Sequence, residues 1–540
     1  MTHFHSQIDP ARPDFAQNRA DMLALIDRLE TLNGRAATAS ERRRERFEKR
    51  GQLTPRDRLA RLLDPGMPFL AIGNLAGYMV DTQDEAKSIP GSTLIAGIGY
   101  VSGVRCVVTV DDSGIRAGAI MAGSGYKLRR AEEIALQQKL PFIHLVESAG
   151  GDLLNYDVGS FAFGGALFAN LARLSKAGIP TIAILHGSST AGGAYMPGLS
   201  DYVVAVKERG KAFLAGPPLL KAATGEIATD EELGGAEMHS QTSGLVEYLA
   251  TSDDEAVAMV RELVGRFDWN ANCAERRQVT FDEPRLDIGE LAGIVPVDYH
   301  KPYDVREVAA RVVDGSDFSD FKPAFGASTV CLQASIYGYP CGIIGNNGPI
   351  DPQGANKAAQ FIQLCDQAGT PLIFLQNTTG YLVGREYEQA GMIKHGSKMI
   401  QAVTNASVPR ITLMIGASYG AGNYGMCGRG FDPDFLFSWP NASMGVMGGE
   451  QAATVMGIVA EEAAQTRGFD LDPAMMAEQS KQLADHFNRQ SDAFYTSGHM
   501  LDDGMIDPRD TRKALGFMLS TVWEAAHRTL RPNSFGVARL

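Results

Sequence analysis

The spacing of apolar residues changes along the chain. Near the start they recur at helical spacing, at Met22, Leu25, Ile26, Leu29 and Leu32. Beyond about residue 90, short β-branched runs such as 105–110 alternate with helical stretches such as 131–139. This alternation is typical of an α/β fold, so we predict that class for most of the chain.

An internal repeat divides the α/β part into two halves. In each half a lysine lies 14 residues before a proline, an apolar strand pattern follows, and a glycine lies nine residues past the proline. These residues are Lys127, Pro141 and Gly150 in the first half, and Lys357, Pro371 and Gly380 in the second. Because the offset stays near 230 residues, we predict two homologous α/β domains in tandem, residues 1–280 and 281–540.

Each half then continues into a glycine-rich turn. Gly192–Gly193 and Ala421–Gly422 lie 12 and 13 residues after Pro180 and Pro409, respectively. At the start of a helix such a turn exposes unpaired N–H groups, and glycine lets a ligand approach them. Two turns side by side can form an oxyanion hole for a carbonyl that becomes an enolate. The alternative is that these glycines only permit tight strand–helix packing.

Composition and motifs exclude several other kinds of chemistry. The 540 residues include 50 Lys plus Arg and 63 Asp plus Glu, and the resulting net charge of −13 argues against nucleic-acid binding. The six cysteines form no CxxC pair, and neither HExxH nor GxxxxGK[ST] occurs, so the sequence supports no metal site and no P-loop. A GxGxxG match at 420–425 lacks the acidic residue that a dinucleotide site needs downstream.

The chain start bears on localisation, and one charged run bears on binding. The start lacks the basic flank and apolar core of a signal peptide, and no apolar run approaches the roughly 18 residues of a membrane span. We therefore expect a cytoplasmic protein without membrane contact. The basic run 41–50 is interrupted by acidic residues, which predicts a solvated helix face or a subunit contact, with anion binding as the alternative.

Four sequence blocks carry a family resemblance, at 188–195 (SSTAGGAY), 213–226 (FLAGPPLLKAATGE), 419–426 (YGAGNYGM) and 446–453 (VMGGEQAA). Over nearly its full length the chain resembles the carboxyltransferase (β) subunits of biotin-dependent acyl-CoA carboxylases. The resemblance implies an α/β fold of two crotonase-like (ClpP/crotonase) domains. It also implies a β-subunit homo-hexamer within an α6β6 complex, with active sites between the N-terminal domain of one subunit and the C-terminal domain of another.

The resemblance also implies roles for individual residues. Gly192 and Gly193 would hold the thioester oxygen of the acyl-CoA, and Ala421 and Gly422 would hold the ureido oxygen of biotin. No side-chain base and no metal would be needed. Further substrate-binding residues would be Ala191, Tyr195, Gly150, Lys221, Gly380, Tyr419 and Asn423. Biotin would arrive on an α subunit with biotin carboxylase and biotin carrier domains, since this chain lacks a Met-Lys-Met attachment sequence and an ATP-grasp signature.

The acyl group stays open at this stage. The blocks 216–226 and 447–453 are similar to the 3-methylcrotonyl-CoA and geranyl-CoA carboxylases, but Ser189 replaces a cysteine and 196–199 and 443–445 depart from the methylcrotonyl pattern. These departures make a longer branched substrate such as geranyl-CoA a candidate. The alternatives are a propionyl- or acetyl-CoA carboxylase β subunit, a crotonase-type enoyl-CoA hydratase or isomerase, and a scaffold without activity.

Overall fold

The chain divides into two compact units. The computed structural model describes residues 4–538 except 153, 154, 156, 277, 469 and 470. The N unit comprises Glu30–Arg277, Gly498–Met500 and Thr521–Leu540, and the C unit comprises Met1–Leu29, Gln278–Ser497 and Leu501–Ser520. The change of unit near residue 278 lies close to the domain boundary expected from the repeat. The two ends of the chain each belong to the unit formed mainly by the other half.

The N unit contains a mixed sheet, with eight strands among the described residues. They are β1 (Leu70–Ala71), β2 (Leu94–Val101), β3 (Val104–Asp111), β4 (Phe142–Ser148), β5 (Thr181–Thr190), β6 (Tyr202–Val206), β7 (Lys211–Phe213) and β8 (Tyr248–Ala250). Their order is β1-β2-β3-β4-β5-β6-β8, and β7 pairs with the end of β5. The first three strands are antiparallel, and parallel pairing begins between β3 and β4. Parallel strands need crossover helices, as the sequence alternation predicted.

The C unit repeats this sheet. Its described strands are β9 (Ser319–Asp320), β10 (Thr329–Ile336), β11 (Tyr339–Asn346), β12 (Leu372–Thr378), β13 (Arg410–Tyr419), β14 (Phe435–Ser438) and β15 (Ser443–Gly445). The order is β14-β13-β12-β11-β10-β9, with β15 pairing with the end of β13. Again the hairpin β10–β11 is antiparallel and the following pairs are parallel. Apart from β8, the two sheets share one topology, which confirms the prediction of two homologous α/β domains in tandem.

Helices connect and cover the strands. The helices of the N unit are α2 (Arg44–Lys49), α3 (Pro55–Leu62), α4 (Ala122–Gln137), α5 (Val158–Ala177), α6 (Tyr195–Leu199), α7 (Pro217–Thr224), α8 (Asp230–Gly234), α9 (Ala236–Met238) and α10 (Asp253–Arg266). Those of the C unit are α11 (Leu291–Ile294), α12 (Val305–Ala310), α13 (Pro352–Ala368), α14 (Arg385–Gln389), α15 (Met392–Asn405), α16 (Gly420–Gly425), α17 (Gly449–Arg467) and α18 (Pro473–Ser491). Three more helices contain residues of both units: α1 (Pro13–Glu41), α19 (Ala493–Gly498) and α20 (Thr511–His527).

The helices that precede β4 and β12 show how the repeat forms a core. Both α4 and α13 bury a lysine at the same place, Lys127 and Lys357. In the C unit, α13 packs with α15 and the sheet around buried residues such as Phe361, Phe374 and Met399. Buried apolar area of this kind contributes most of the stability of a fold.

Two kinds of feature are absent from the described residues. No helix in that part of the chain is both long and apolar enough to cross a membrane. The same residues include no group of three or more His, Cys, Asp or Glu side chains that could hold a metal ion.

Candidate active site

In the N unit, two strand ends and their turns lie in contact. The strand β4 ends at Ser148, and Gly150 follows in the left-handed region with φ +85°. The next strand, β5, ends at Thr190, where a 3-10 helix, Ala191–Ala194, begins. A Cβ atom on Gly150 would lie 2.9 Å from the carbonyl oxygen of Thr190. Glycine at position 150 therefore lets the two turns approach each other closely.

The N–H groups of the second turn are available to a ligand. Gly192 and Gly193 lie in the 3-10 helix Ala191–Ala194, and within its i→i+3 pattern the N–H groups of Ala191 and Gly192 have no partner. Among the described residues, no turn or loop hydrogen bond is donated by the N–H of Ala191 or Gly192. A Cβ on Gly193 would lie 2.9 Å from Ser189 Oγ, so a larger residue at this position would displace its neighbour. This is the backbone arrangement that an oxyanion hole needs.

The C unit contains the same arrangement. Gly380 follows β12 with φ +118°, and Gly420 follows β13 with φ +56° at the start of α16. A Cβ on Gly422 would lie 2.8 Å from Gly380 Cα and 2.9 Å from Thr378 Cγ2, so the two turns are again in contact. No turn or loop hydrogen bond of the described residues is donated by the N–H of Ala421 or Gly422.

The residue that redirects the chain at each turn has the same left-handed backbone. Ala191 has φ +51°, and Gly420, its counterpart in the repeat, has φ +56°. Left-handed backbone costs about 1 kcal/mol for a residue with a Cβ and is readily adopted by glycine. The N unit therefore carries strain at Ala191 that the C unit avoids, as is common where a turn presents amides to a ligand.

Asn423 links the C-unit turn to the sheet by hydrogen bonds. Its side chain is buried, and Nδ2 donates to Ser418 Oγ at 2.7 Å. The Ser418 hydroxyl donates in turn to Gln376 Oε1 at 2.6 Å, and the Gln376 amide donates to the Met426 carbonyl at 2.6 Å. This chain of polar groups joins β12, β13 and α16, so Asn423 holds the turn in place. Its expected contact with a substrate stays a prediction.

The other predicted side chains lie in different surroundings. Tyr195 is 47% exposed, and its ring packs edge-on against Phe168 at 5.5 Å between centroids. Tyr419 is buried, and its hydroxyl shares a 2.6 Å hydrogen bond with Ser443. Lys221 is exposed on α7, a helix with no buried residue. For these three, a role in substrate binding stays a prediction.

A buried charged network that sequence reasoning missed lies behind the N-unit turns. The Arg58 guanidinium is 1% exposed and donates to Glu147 Oε2 at 2.6 Å and to Asp253 Oδ2 at 3.3 Å. Asp253 Oδ1 lies 2.8 Å from His186 Nδ1. Burial raises the pKa of Asp253, but the hydrogen bond to His186 and the charge of Arg58 outweigh this and lower it to about 2. The network joins α3, β4, β5 and α10.

A cavity of about 620 Å³ opens beside the same turns. Ser148 and Ala149, which precede Gly150, line it together with Gly187 and Ser188 from the last part of β5. Its charged lining has five basic and three acidic side chains: Arg43, Arg46, Arg50, Arg209, Lys211, Glu147, Glu208 and Asp230. Lys211 is paired with Asp230 and Glu231, so the arginines supply the unbalanced positive charge. Arg43, Arg46 and Arg50 come from the run 41–50, and among the described residues none of them forms an ion pair. All three are exposed, which agrees with the predicted solvated face, and their position at the cavity keeps anion binding as the alternative.

Three comparisons with known proteins identify the family. A model of the carboxyl transferase domain matches residues 46–537. The chain belongs to the carboxyl transferase family. It is 47% identical over 538 residues to a probable biotin-dependent acyl-coenzyme A carboxylase beta2 subunit of Mycobacterium tuberculosis, covering 99% of each chain. It is 44% identical to the biotin-dependent 3-methylcrotonyl-coenzyme A carboxylase beta1 subunit of the same organism, covering 98% of each. A crystal structure of the P. aeruginosa geranyl-CoA carboxylase beta subunit matches with a TM-score of 0.94, 51% identity and complete coverage of both chains.

These findings confirm the resemblance inferred from the four sequence blocks. The chain is a carboxyltransferase of the β-subunit type, in the subgroup of the methylcrotonyl-CoA and geranyl-CoA carboxylases, and it is an enzyme. Biotin and CoA thioesters appear in the names of the relatives, which supports their use by this family member. The roles of the individual turn residues are tested by none of these matches.

Proposed function

We propose that this chain transfers a carboxyl group from biotin to the enolate of a branched unsaturated acyl-CoA, of the geranyl-CoA or 3-methylcrotonyl-CoA type. The observation that carries the proposal is the duplicated pair of turns with available N–H groups. The reaction involves two carbonyl oxygens that gain negative charge, one on the thioester and one on the ureido ring of biotin. One pair of turns would serve each oxygen.

The N-unit turn would act on the acyl-CoA. The amides of Gly192 and Gly193 would donate to the thioester oxygen, which becomes negative when the acyl group loses a proton. Fixed donors stabilise this charge more than they stabilise the neutral carbonyl, and that difference lowers the barrier. One such donor typically contributes about 3 kcal/mol to the stability of the transition state.

The C-unit turn would hold biotin. The amides of Ala421 and Gly422 fit a ureido oxygen, because α16 begins there with Ala421 exposed and Gly422 packed against Gly380. When bound, biotin supplies the carboxyl group and a ring nitrogen that accepts the substrate proton. The chain itself then contributes orientation and oxyanion stabilisation, and it needs no side-chain base.

The basic cavity supports placing CoA on the N unit. CoA carries three phosphate groups, and clustered arginines bind phosphate through bidentate hydrogen bonds as well as charge. The cavity joins such a cluster to residues next to the Gly150 and Gly192 turns. The phosphates would bind at the basic wall, and the thioester would extend to the amides.

A stretch of α5 without side chains supports a long acyl chain. Phe161 is 74% exposed, and a Cβ built on Gly164 or Gly165 would meet no atom within 4 Å. One turn further on, Phe168 lies 3.7 Å from a Cβ position on Gly192. Two aromatic rings therefore flank a notch without side chains, and the notch leads to the turn that would hold the thioester. An extended apolar chain such as a geranyl group would fit this surface.

The rest of the reaction would require partners. Carboxylation of biotin with bicarbonate and ATP would take place on an α subunit that carries biotin carboxylase and biotin carrier domains. We propose a β hexamer within an α6β6 complex, with each active site combining the N unit of one subunit with the C unit of another. The names of the relatives, which are β subunits, support such a partner.

The chain can be tested without its partner. Supplied with free biotin, it should decarboxylate carboxygeranyl-CoA or methylglutaconyl-CoA. Turnover of methylmalonyl-CoA alone would instead indicate a propionyl-CoA type of enzyme. Hydration of an enoyl-CoA without biotin would favour a hydratase, and no turnover of any carboxylated substrate would contradict the proposal.

The acyl group is tested by filling the notch. Gly164→Phe should lower kcat/KM for geranyl-CoA about 10-fold or more relative to 3-methylcrotonyl-CoA, since one misfitted apolar group costs on the order of 1–3 kcal/mol. Ala162→Phe, at an exposed position of the same helix, is the control and should leave the ratio unchanged. An unchanged ratio in Gly164→Phe would remove α5 from the acyl site.

A further inference from the structure

The basic cavity of the N unit contains a carboxylate that the proposed reaction does not use. Glu147 lies near the end of β4, one residue before Ser148, and its side chain lines the cavity. Its carboxylate lies over the backbone of Gly187, where a Cβ would be only 2.6 Å from Oε1. Glycine at position 187 therefore makes room for this carboxylate next to the turn.

One oxygen of Glu147 is fixed and the other is available. Oε2 accepts a 2.6 Å hydrogen bond from Arg58, which is itself held by Asp253. Among the described residues, none donates a hydrogen bond to Oε1. The side chain is 13% exposed, so Oε1 has access to the cavity. A rigid acceptor without a partner is the form that a ligand-positioning group takes.

The corresponding residue of the C unit is satisfied internally. Asn377 lies at the same place near the end of β12, and its side chain lies over Gly416 as Glu147 lies over Gly187. Its Oδ1 accepts a hydrogen bond from the N–H of Ala417 at 3.2 Å. The repeat therefore preserves a polar side chain over a glycine, and only the N unit leaves an acceptor open to the cavity.

We propose that Glu147 is a substrate-positioning residue whose Oε1 accepts a hydrogen bond from an N–H group of the CoA thioester. This inference rests on the proposed function, because it assumes that the cavity binds CoA. Because a carboxylate repels phosphate, the phosphates of CoA would bind at the basic side chains, and an uncharged part of CoA with an N–H group would bind at Glu147. CoA offers two kinds of N–H donor, the amides of its pantetheine arm and the amine of its adenine.

The test is Glu147→Gln, assayed by steady-state kinetics with the full chain and free biotin. The glutamine oxygen can still accept from Arg58, but its NH2 group then faces the cavity and opposes a ligand donor. We expect the KM for the carboxylated acyl-CoA to rise about 10-fold, equivalent to about 1.4 kcal/mol, with kcat and the KM for biotin unchanged. Glu262→Gln, exposed and paired with Arg266 on α10, is the control.

Two substrates distinguish the donors. If the donor is the adenine amine, the penalty disappears with an acyl-pantetheine thioester, which lacks the nucleotide. If it is a pantetheine amide, the penalty persists. An unchanged KM with both substrates, or an equal rise in the KM for biotin, overturns the proposal. If Glu147→Gln fails to fold, Glu147→Asp is the second variant. Its shorter side chain keeps a negative charge near Arg58 but withdraws the carboxylate from the cavity, so it should show the same selective rise in the KM for the acyl-CoA.

Failure of the proposed function would look different. If the wild-type chain turns over no carboxylated acyl-CoA, the proposed function fails whatever the variant does. Calorimetric titration with CoA alone then tests Glu147 separately. Weaker binding to Glu147→Gln than to the wild type supports its positioning role, and equal binding contradicts it.

Discussion

Replacing Gly422 by alanine would test whether the C-unit turn is part of the catalytic apparatus. The new Cβ would lie 2.8 Å from Gly380 Cα and 2.9 Å from Thr378 Cγ2. Contacts become ordinary only from 3.4 Å, so one of the two turns must move by about 0.6 Å. Since the nearest atom belongs to the backbone, no side-chain rotation can relieve the contact.

A shift of this size should reduce the rate. Misplacement by about 1 Å can cost 100-fold, and loss of one oxyanion donor costs roughly 100- to 1,000-fold in kcat. We therefore expect kcat of Gly422→Ala to fall about 100-fold, which corresponds to roughly 2.7 kcal/mol. The KM for the acyl-CoA should stay unchanged, because the amides proposed to hold the thioester belong to the N unit.

The assay is decarboxylation with free biotin, accompanied by a melting curve for each variant. Gly430→Ala is the control, since a Cβ at that position meets no atom within 4 Å. A folded Gly422→Ala variant with wild-type kcat would refute the reasoning. Gly193→Ala offers a second check: its nearest contact is a side-chain atom, Ser189 Oγ at 2.9 Å, so Ser189→Ala should restore part of the lost rate.

Three further predictions concern stability and binding. Burial lowers the pKa of Lys127 to about 7, so above that pH the unfolded state binds more protons than the folded state. The free energy of unfolding should therefore rise from pH 7 to 9. Urea titrations of Lys127→Met should show a smaller rise. Asp253→Asn leaves Arg58 with one fewer partner and should cost about 3 kcal/mol at pH 7. Because the pKa of Asp253 lies below its unfolded value, this difference should shrink as the pH falls towards 2. Arg46→Ala should raise the KM for acyl-CoA several-fold. The KM for an acyl-pantetheine, which carries no phosphate, should stay unchanged.

The parts that the sequence predicted well are those that local pattern determines. A strand that follows a proline and ends at a glycine is a local signal, and its recurrence at Gly150 and Gly380 led directly to the two turns in contact. The glycines at 192–193 and 421–422 were informative for the same reason. Close backbone approach needs glycine, so the sequence retains a trace of the geometry.

The parts that the sequence missed depend on contacts between distant residues. Arg58 donates a hydrogen bond to Glu147, which lies 89 residues further along the chain. Arg46 lines the cavity, although the charge pattern of its helix predicted a solvated face. No period or motif marks such a pair. The left-handed backbone at Ala191 was equally hidden, because alanine gives no sign of it, whereas glycine stands at its counterpart, position 420. The exchange of chain ends between the units also leaves no local pattern.

The two halves preserve backbone geometry and differ in charge. Glu147 donates its N–H to the Asp111 carboxylate at 3.1 Å, whereas Asn377 donates to the Asn346 amide oxygen at 3.4 Å. Carboxylates with a buried arginine in one half therefore correspond to neutral amides in the other. A buried charge network is costly and is maintained only when its members stay paired. We infer that duplication kept the turns, which serve any oxyanion, while the polar groups behind them diverged with the ligand. The charged half lies beside the cavity proposed for the polyanionic CoA, and the amide half is the one proposed for biotin.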